Sequence, residues 1–590
     1  MRVFIKSLVL FAIVQIGSQL AFSQNLIKYD LKWGEKIPMR DGVKLNATLY
    51  LPKDLKEKQP VIIDLTPYIS DGYHARGKYF AENGFIYAIV DCRGRGSSEG
   101  NFNPFIQEAK DGYDLVEYFA KQPYCNEKVA MWGGSYSGYN QWATAKEFPP
   151  HLSTIVPVAS VFPGIDYPNP NNIFMSYMIA WLTYTSGKTG NSTLFGDDSF
   201  WLNKYADMYQ KHLPFEQLDK IVGNETTVFQ TWLAHPTYDD YWKSMNPKIE
   251  DYQKMNIPIL TITGHYDADQ QGALTFYENF MKYASAEAKN KHFLIIGPYN
   301  HSGTRTPKEA FGGLKFGKES MLDMNKLHKE WYEYTMKNGP KPSFLKDKVA
   351  YYVMEDEKWK YVESLEKIAT HQKSLFLDSD GNANDVLSGA KLSENIANKS
   401  STDKIVYNPL DISKGLENWK NEEPNYLKDQ FTAYRLGNEA VIYHSAPFED
   451  STEISGGIEA KLYISTDVPD TDLMISLYEL TTKGEAIYLT SDQLRLRYRE
   501  SLERETLMQA GKVYECVFDD FRFFSKKIAK SSRLRLIIKT NNSLENQKNY
   551  NSGGNVSAET AKDSKIAHIN IHHDAKFQSR IILPIVKNQP

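Results

Sequence analysis

The sequence predicts an α/β unit that carries a helical insertion and is followed by an all-β sandwich. Three patterns carry this. Short apolar runs ending in turn residues alternate with helix-forming segments up to about residue 160 and again from about residue 254. The stretch between them is rich in aromatics at helical spacing, and beyond about residue 346 the chain breaks into many short alternating segments with few helices. At 590 residues the chain is too long for one ordinary core, so several structural units are expected.

The first 23 residues read as a secretory leader. Basic Arg2 and Lys6 precede an apolar run, and Ala21-Phe22-Ser23 forms a small-x-small cleavage site before Gln24. Export to the periplasm or the outside of the cell is therefore expected. No later segment approaches the roughly 20 apolar residues of a membrane span. The net charge of −4, from 69 basic and 73 acidic residues, gives no phosphate-binding surface and argues against a nucleic-acid partner. Only three cysteines are present, so disulfides are not the main source of stability, and Cys92 and Cys125 are the two considered for pairing. No His/Cys cluster has zinc-ligand spacing.

After the leader, "IPMRDGVKLNATLYLP" alternates around Asp41-Gly42 and reads as an antiparallel hairpin. The runs "PVIIDLTPY", "FIYAIVDCRG" and "KVAMWGG" read as buried parallel strands with crossovers, the third leading into a helix over "SYSGYNQWATAKEF". The insertion, 161–253, contains Phe174, Tyr177, Trp181, Tyr184, Trp201, Tyr205, Trp232, Tyr241 and Trp242. Most of these are expected to pack the insertion's own core, and a minority to wall a pocket. "IPILTITGHYD" and "HFLIIGPYNHSG" restore the parallel-strand pattern in 254–345. Segments such as "VAYYVM", "EAKLYIST" and "RLRLIIKT" place the sandwich at 346–590, with "NNSLENQKNYNSGGN" as a polar surface loop.

"WGGSYSG" places Ser135 at a strand-to-helix turn, where a serine hydroxyl is lifted above the sheet next to a helix N-terminus. Gly133, Gly134 and Gly138 supply the small residues that such a crowded turn needs. By itself the motif is equally consistent with a plain turn serine. A hydroxyl becomes a useful nucleophile when a histidine takes its proton and a carboxylate orients that histidine. "ILTITGHYD" ends at Asp267 and "FLIIGPYNHSG" leads to His301, giving the order Ser…Asp…His of an α/β-hydrolase. Asp269 competes for the acid role, and His265 and His292 are neighbouring histidines; His301 is preferred because it follows a strand end in a loop.

The quoted segments "MRDGVKLNATLYLP", "TPY", "DCRGRGSSEG", "GGSYSG", "GHYD", "GPYNHSG", "TEISGGIEA" and "DQLRLRYRES" together resemble the serine hydrolases grouped around X-prolyl dipeptidyl peptidase, cocaine esterase, α-amino-acid ester hydrolase and glutaryl-cephalosporin acylase. The resemblance covers almost the whole chain after the leader. It implies an α/β-hydrolase domain, a helical cap and a C-terminal jelly roll beside the active site. It also implies Ser135 as nucleophile, Asp267 as orienting acid, His301 as general base, and an oxyanion hole made by the Tyr68 hydroxyl and the Tyr136 N–H. Relatives that hydrolyse α-amino-acid esters bind the substrate ammonium with an acidic pair after the catalytic aspartate. Here the run is Asp267-Ala268-Asp269-Gln270, so one carboxylate of the pair is kept and the other is an amide. Asp269, Asp166 of "FPGIDYPNP" and Trp181 are the candidate substrate-binding residues.

The expected function is cleavage of an ester or amide through an acyl-enzyme, with a small ester, amide or short peptide as substrate and no metal or organic cofactor. Release of X-Pro dipeptides is one alternative, and a non-catalytic carbohydrate-binding protein that uses the jelly roll is another. A homo-oligomer is compatible with the sequence.

Overall fold

The computed structural model describes residues 27–397, 399–418, 426–428 and 436–587. The expected leader lies outside the described residues. Ten strands form one sheet: β1 (Tyr29–Pro38), β2 (Lys44–Pro52), β3 (Gln59–Thr66), β4 (Ile86–Asp91), β5 (Cys125–Gly134), β6 (Leu152–Val158), β7 (Ile259–Tyr266), β8 (His292–Asn300), β9 (Val349–Val353) and β10 (Lys358–Val362). Their order is β1-β2-β4-β3-β5-β6-β7-β8-β9-β10. The opening hairpin is antiparallel, with Pro38 opposite Lys44 and Gly42 at φ 87° in the turn. From β4 through β3 to β9 every neighbouring pair is parallel.

Period-2 alternation explains why these strands are apolar throughout. In β3, Val61, Ile63 and Leu65 join the core on one face, which includes Leu115, Val116 and Phe119 of the helix Glu108–Ala120. Ile62 points to the other face, against a core containing Phe80 and Trp331. β4 divides in the same way, Ile86, Ala88 and Val90 against Tyr87 and Ile89. Both faces are covered by helices, which is the condition for a parallel sheet.

Between β6 and β7 the chain forms the cap, a set of short helices from Tyr177–Tyr184 to Ile249–Lys254. Its large aromatics do form a core: Trp232 and Trp242 are fully buried, with ring centroids 6.1 Å apart.

Two expectations need correction. "VAYYVM" does not open the sandwich: Val349–Val353 is buried along its whole length and pairs parallel with β8, so the α/β sheet runs on to Val362 and the all-β part begins with the strand His371–Asp378. A five-residue apolar run carries no sign of which sheet it enters, and the open edge of β8 decided it. The loop 541–555 is also not a surface loop. Asn549 and Asn551 are buried, and Asn549 Nδ2 donates to Asp470 (2.7 Å) and Asp472 (2.9 Å). Its polar composition satisfies buried charges and backbone rather than water.

The C-terminal part is all β, its strands joined in one hydrogen-bonded network around a core that unites Ile405, Leu462 and Ile569 with Leu473 and Leu536. The three cysteines are free and buried, so Cys92 and Cys125 do not pair. Among the described residues no helix is long and apolar enough to cross a membrane.

The sandwich is tied to the cap through the chain entering it. Ser176 N donates to Glu545 O (2.7 Å), and Gln547 N donates to Phe174 O (2.7 Å). Arg495 is held by Asp472 (2.9 and 3.0 Å) and donates to Asn172 O (3.3 Å) and Gln547 Oε1 (2.9 Å). Arg495 and Asp472 side chains are only 3% and 2% exposed, so removing one strands the other's charge. Arg495→Met is expected to cost about 3–5 kcal/mol in a denaturant melt, and a loss under about 1 kcal/mol would show that the pair is not needed.

Candidate active site

β5 ends at Gly134, and the next residue, Ser135, sits at φ 62° and ψ −127° at the head of the helix Tyr136–Ala145. A non-glycine residue in this region stores strain that its surroundings must enforce. They do so from both sides. Ser135 N donates to Val158 O (2.9 Å), and Ser135 O accepts from Gly138 N (2.8 Å) and Tyr139 N (3.1 Å). A Cβ on Gly138 would lie 2.8 Å from Val158 O, and one on Gly133 would lie 2.8 Å from Ser137 O, so side chains there would break the close approach of helix to strand. The turn lifts the serine Oγ toward solvent while the helix's first N–H groups, Tyr136 N–H among them, lack partners one turn back.

The neighbouring strand ends supply two acids and a histidine. Asp267 follows β7, and its side chain is fully buried. It accepts His301 Nδ1 (2.8 Å) and the Asp269 N–H (3.2 Å) at Oδ1, and Thr263 Oγ1 (2.9 Å) at Oδ2. Burial alone would raise its pKa, but the His301 hydrogen bond and charge and these donors together hold it below the ordinary value. His301, directly after β8, is 35% exposed and also lies 3.5 Å from Asp269 Oδ2. Burial would lower its pKa, and the Asp269 and Asp267 carboxylates outweigh that and raise it above 6.5. Asp269 is itself pushed up to about 6, by burial first and by the Asp267 charge.

Ser135 Oγ lies 3.5 Å from the Tyr68 hydroxyl and donates toward Asp269 Oδ2 at 3.4 Å. In this structure the serine hydroxyl therefore faces Tyr68 and Asp269. Tyr68 in turn accepts Trp181 Nε1 (3.2 Å). These groups enclose a cavity of about 270 Å³ lined by Tyr68, Ser135, Tyr136, Trp181, Asp269 and His301. The Tyr136 ring is buried below it, its hydroxyl donating to Glu108 (2.6 Å), so what it offers the cavity is its backbone.

Asp166 stands apart from the other candidates. Its two oxygens accept the Phe162 N–H (2.7 Å) and Gly272 N–H (2.9 Å), so this buried carboxyl ties the start of the cap to the helix after Asp269 and presents nothing to the cavity. His265 and His292 are core residues, both driven down to about 3, by burial alone for His265 and by burial first, with Lys348, for His292.

Tyr177 and Tyr167, absent from the sequence-derived set, also line the cavity. Tyr177 was findable, since it lies four residues before Trp181 on one helix and shares its face. Tyr167 comes from an irregular segment with no periodic signal. Carboxylate oxygens of Asp267 and Asp269 and a His301 nitrogen lie within 4.8 Å of one another, close enough to hold a metal ion. Nδ1 of that histidine is already engaged by Asp267.

Comparison with known proteins assigns the chain. Residues 41–303 match the family model of X-Pro dipeptidyl-peptidase (S15 family), and residues 345–582 match that of the X-Pro dipeptidyl-peptidase C-terminal non-catalytic domain. The chain belongs to this family of serine hydrolases. It is 26% identical to the cocaine esterase of Rhodococcus sp. (strain MB1 Bresler), over 95% of this chain and 99% of that protein. An aminopeptidase from a marine sediment Thaumarchaeota archaeon shares the fold of this S15 hydrolase, with a TM-score of 0.81, 20% identity, and coverage of 95% of this chain and 97% of that one. So does an α-amino acid ester hydrolase, with a TM-score of 0.80, 19% identity, and coverage of 96% and 100%.

The carboxylates around His301 make its titration a direct check. In the S15 hydrolase, the His301 ring followed by NMR should titrate above pH 6.5, and Asp269→Asn should bring the midpoint down. A midpoint unmoved by that substitution would show that Asp269 does not act on the ring.

Proposed function

We propose that the protein is an exported serine hydrolase that cleaves an ester or amide through an acyl-enzyme. Ser135 is the nucleophile, His301 the general base and Asp267 its orienting acid. The supporting observation is the shared cavity: Ser135, Tyr68 and His301 all line it, and His301 is bonded to buried Asp267 at 2.8 Å.

As Ser135 Oγ attacks the substrate carbonyl, its proton passes to His301 Nε2, while the Asp267 carboxylate accepts a hydrogen bond from Nδ1–H and stabilises the imidazolium that forms. The negative charge on the former carbonyl oxygen is met by the Tyr68 O–H and the Tyr136 N–H. His301 then protonates the leaving alcohol or amine as the carbon–heteroatom bond breaks. Water, deprotonated by the same ring, releases the acid and restores Ser135. Trp181 Nε1 fixes the Tyr68 hydroxyl by donating to it, which leaves that hydroxyl's own proton available to the oxyanion.

An esterase fits the 26% likeness to a cocaine esterase over nearly the full chain. Release of X-Pro dipeptides is the second reading, favoured by one feature, the Asp269 carboxylate in the cavity wall, which offers an anion to a substrate ammonium. A panel of nitrophenyl esters, free and N-acetylated amino-acid esters and X-Pro anilides separates the two: turnover of blocked and simple esters supports the esterase, and turnover of free-amine X-Pro substrates alone supports the peptidase. Export rests on the N-terminal leader, and cell fractionation tests it.

Ser135→Ala is expected to lower turnover by about 10⁴-fold or more, and Tyr68→Phe by about 10²–10³-fold in kcat; wild-type rates in Ser135→Ala would remove the assignment. Catalysis needs neutral His301. Because its pKa is raised, kcat/KM should climb with pH through a midpoint above 6.5. Asp269→Asn should shift that climb to lower pH.

A further inference from the structure

Behind Tyr177 lies a second cavity, about 420 Å³ in volume, which no part of the proposed reaction uses. Tyr177 lines both cavities, so the two spaces adjoin across one ring. That ring is 44% exposed, whereas Trp201 and Tyr205, which also face the larger space, are 4% and 5% exposed. The cap thus supplies an aromatic part of the lining, in which Tyr177 is exposed.

The opposite wall belongs to the sandwich and is acidic. Asp492 and Asp520 line it, with Asp198 of the cap at the same cavity and Arg522 as the guanidinium among the lining side chains. The two sandwich carboxyls are close neighbours: Asp520 N donates to Asp492 Oδ2 (3.1 Å), and Asn171 Nδ2 reaches both Asp492 Oδ1 (3.0 Å) and Asp520 Oδ2 (3.4 Å). Among the described residues, neither carboxyl has a Lys or Arg nitrogen within 4.0 Å. Burial first raises both: Asp492 lies well above the ordinary carboxyl value, with the Asp520 charge adding to the rise, and Asp520 lies at about 7, with Asp519 adding to the rise and Arg522 acting against it. A paired acid site facing aromatic rings matches a cation, which relieves the repulsion and binds ring faces at once.

We propose that this cavity is a binding site for an organic cation, a quaternary or protonated amine carried on the part of the substrate that extends past Tyr177 from the bond at Ser135. The inference rests on the serine-hydrolase reading for its place in catalysis, though binding itself does not require turnover. The site is distinct from Asp269, which lies on the Ser135 side of Tyr177 and lines only the smaller cavity. Such a substrate would be held at two points, and its charged end would select among esters of equal reactivity.

The test uses full-length Ser135→Ala protein, with choline and its uncharged isostere 3,3-dimethylbutanol as probes, by calorimetry. Choline is expected to bind about tenfold or more tightly. Asp520→Asn should collapse that preference to within about twofold. Asp198→Asn, an exposed cap position at the same cavity, should reduce it severalfold and serves if the buried substitution unfolds the protein. Asp269→Asn should leave it in place. No preference for choline, or a preference lost with Asp269→Asn but kept with Asp520→Asn, overturns the proposal. Failure of the hydrolase reading would show separately, as absence of Ser135-dependent turnover of simple nitrophenyl esters by the wild-type protein.

Discussion

The site depends on the enforced backbone of Ser135. A serine at φ 62° persists only where strand and helix leave the chain no alternative. The enforcement is local and made mostly of backbone: Val158 O on one side, the first turn of the helix Tyr136–Ala145 on the other, and glycines where a Cβ would separate them. That geometry puts Oγ at the C-terminal edge of the parallel sheet, where β7 and β8 also end. Their following residues, Asp267 and His301, bond to each other there, and His301 lines the same cavity as Ser135.

The electrostatics follow from burying two carboxylates beside one imidazole. Asp267 has three donors and stays ionised, whereas Asp269 has the weaker share of the histidine and is raised toward 6. Two acids in one sequence run thus differ because their hydrogen bonds differ. In the structure the serine hydroxyl faces Asp269, which couples this second carboxylate both to Ser135 and to the ring.

The sandwich contributes to the pocket region through buried polar contacts. The loop 541–555, rich in Asn, supplies buried amides to Asp470 and Asp472 and backbone pairs to the chain entering the cap. Its composition reads as solvent-facing when taken alone. Buried charges on another segment gave it an interior role, and no pattern within the loop announces such partners. The same junction encloses the larger cavity, whose acidic and aromatic walls come from segments about 300 residues apart.

The sequence by itself determined most of the individual α/β strands, the aromatic insertion, the all-β C-terminal part and the strand-end positions of Ser135, Asp267 and His301. These are encoded locally, as apolar runs, helical spacing and turn residues. Tertiary structure decided what depends on the identity of a neighbour. It sent Val349–Val353 to the α/β sheet, turned Asp166 onto two backbone N–H groups, left Cys92 and Cys125 apart, and set Tyr177 between two cavities. A residue's type limits the bonds it can make, but its partner is chosen by packing between segments distant in the chain.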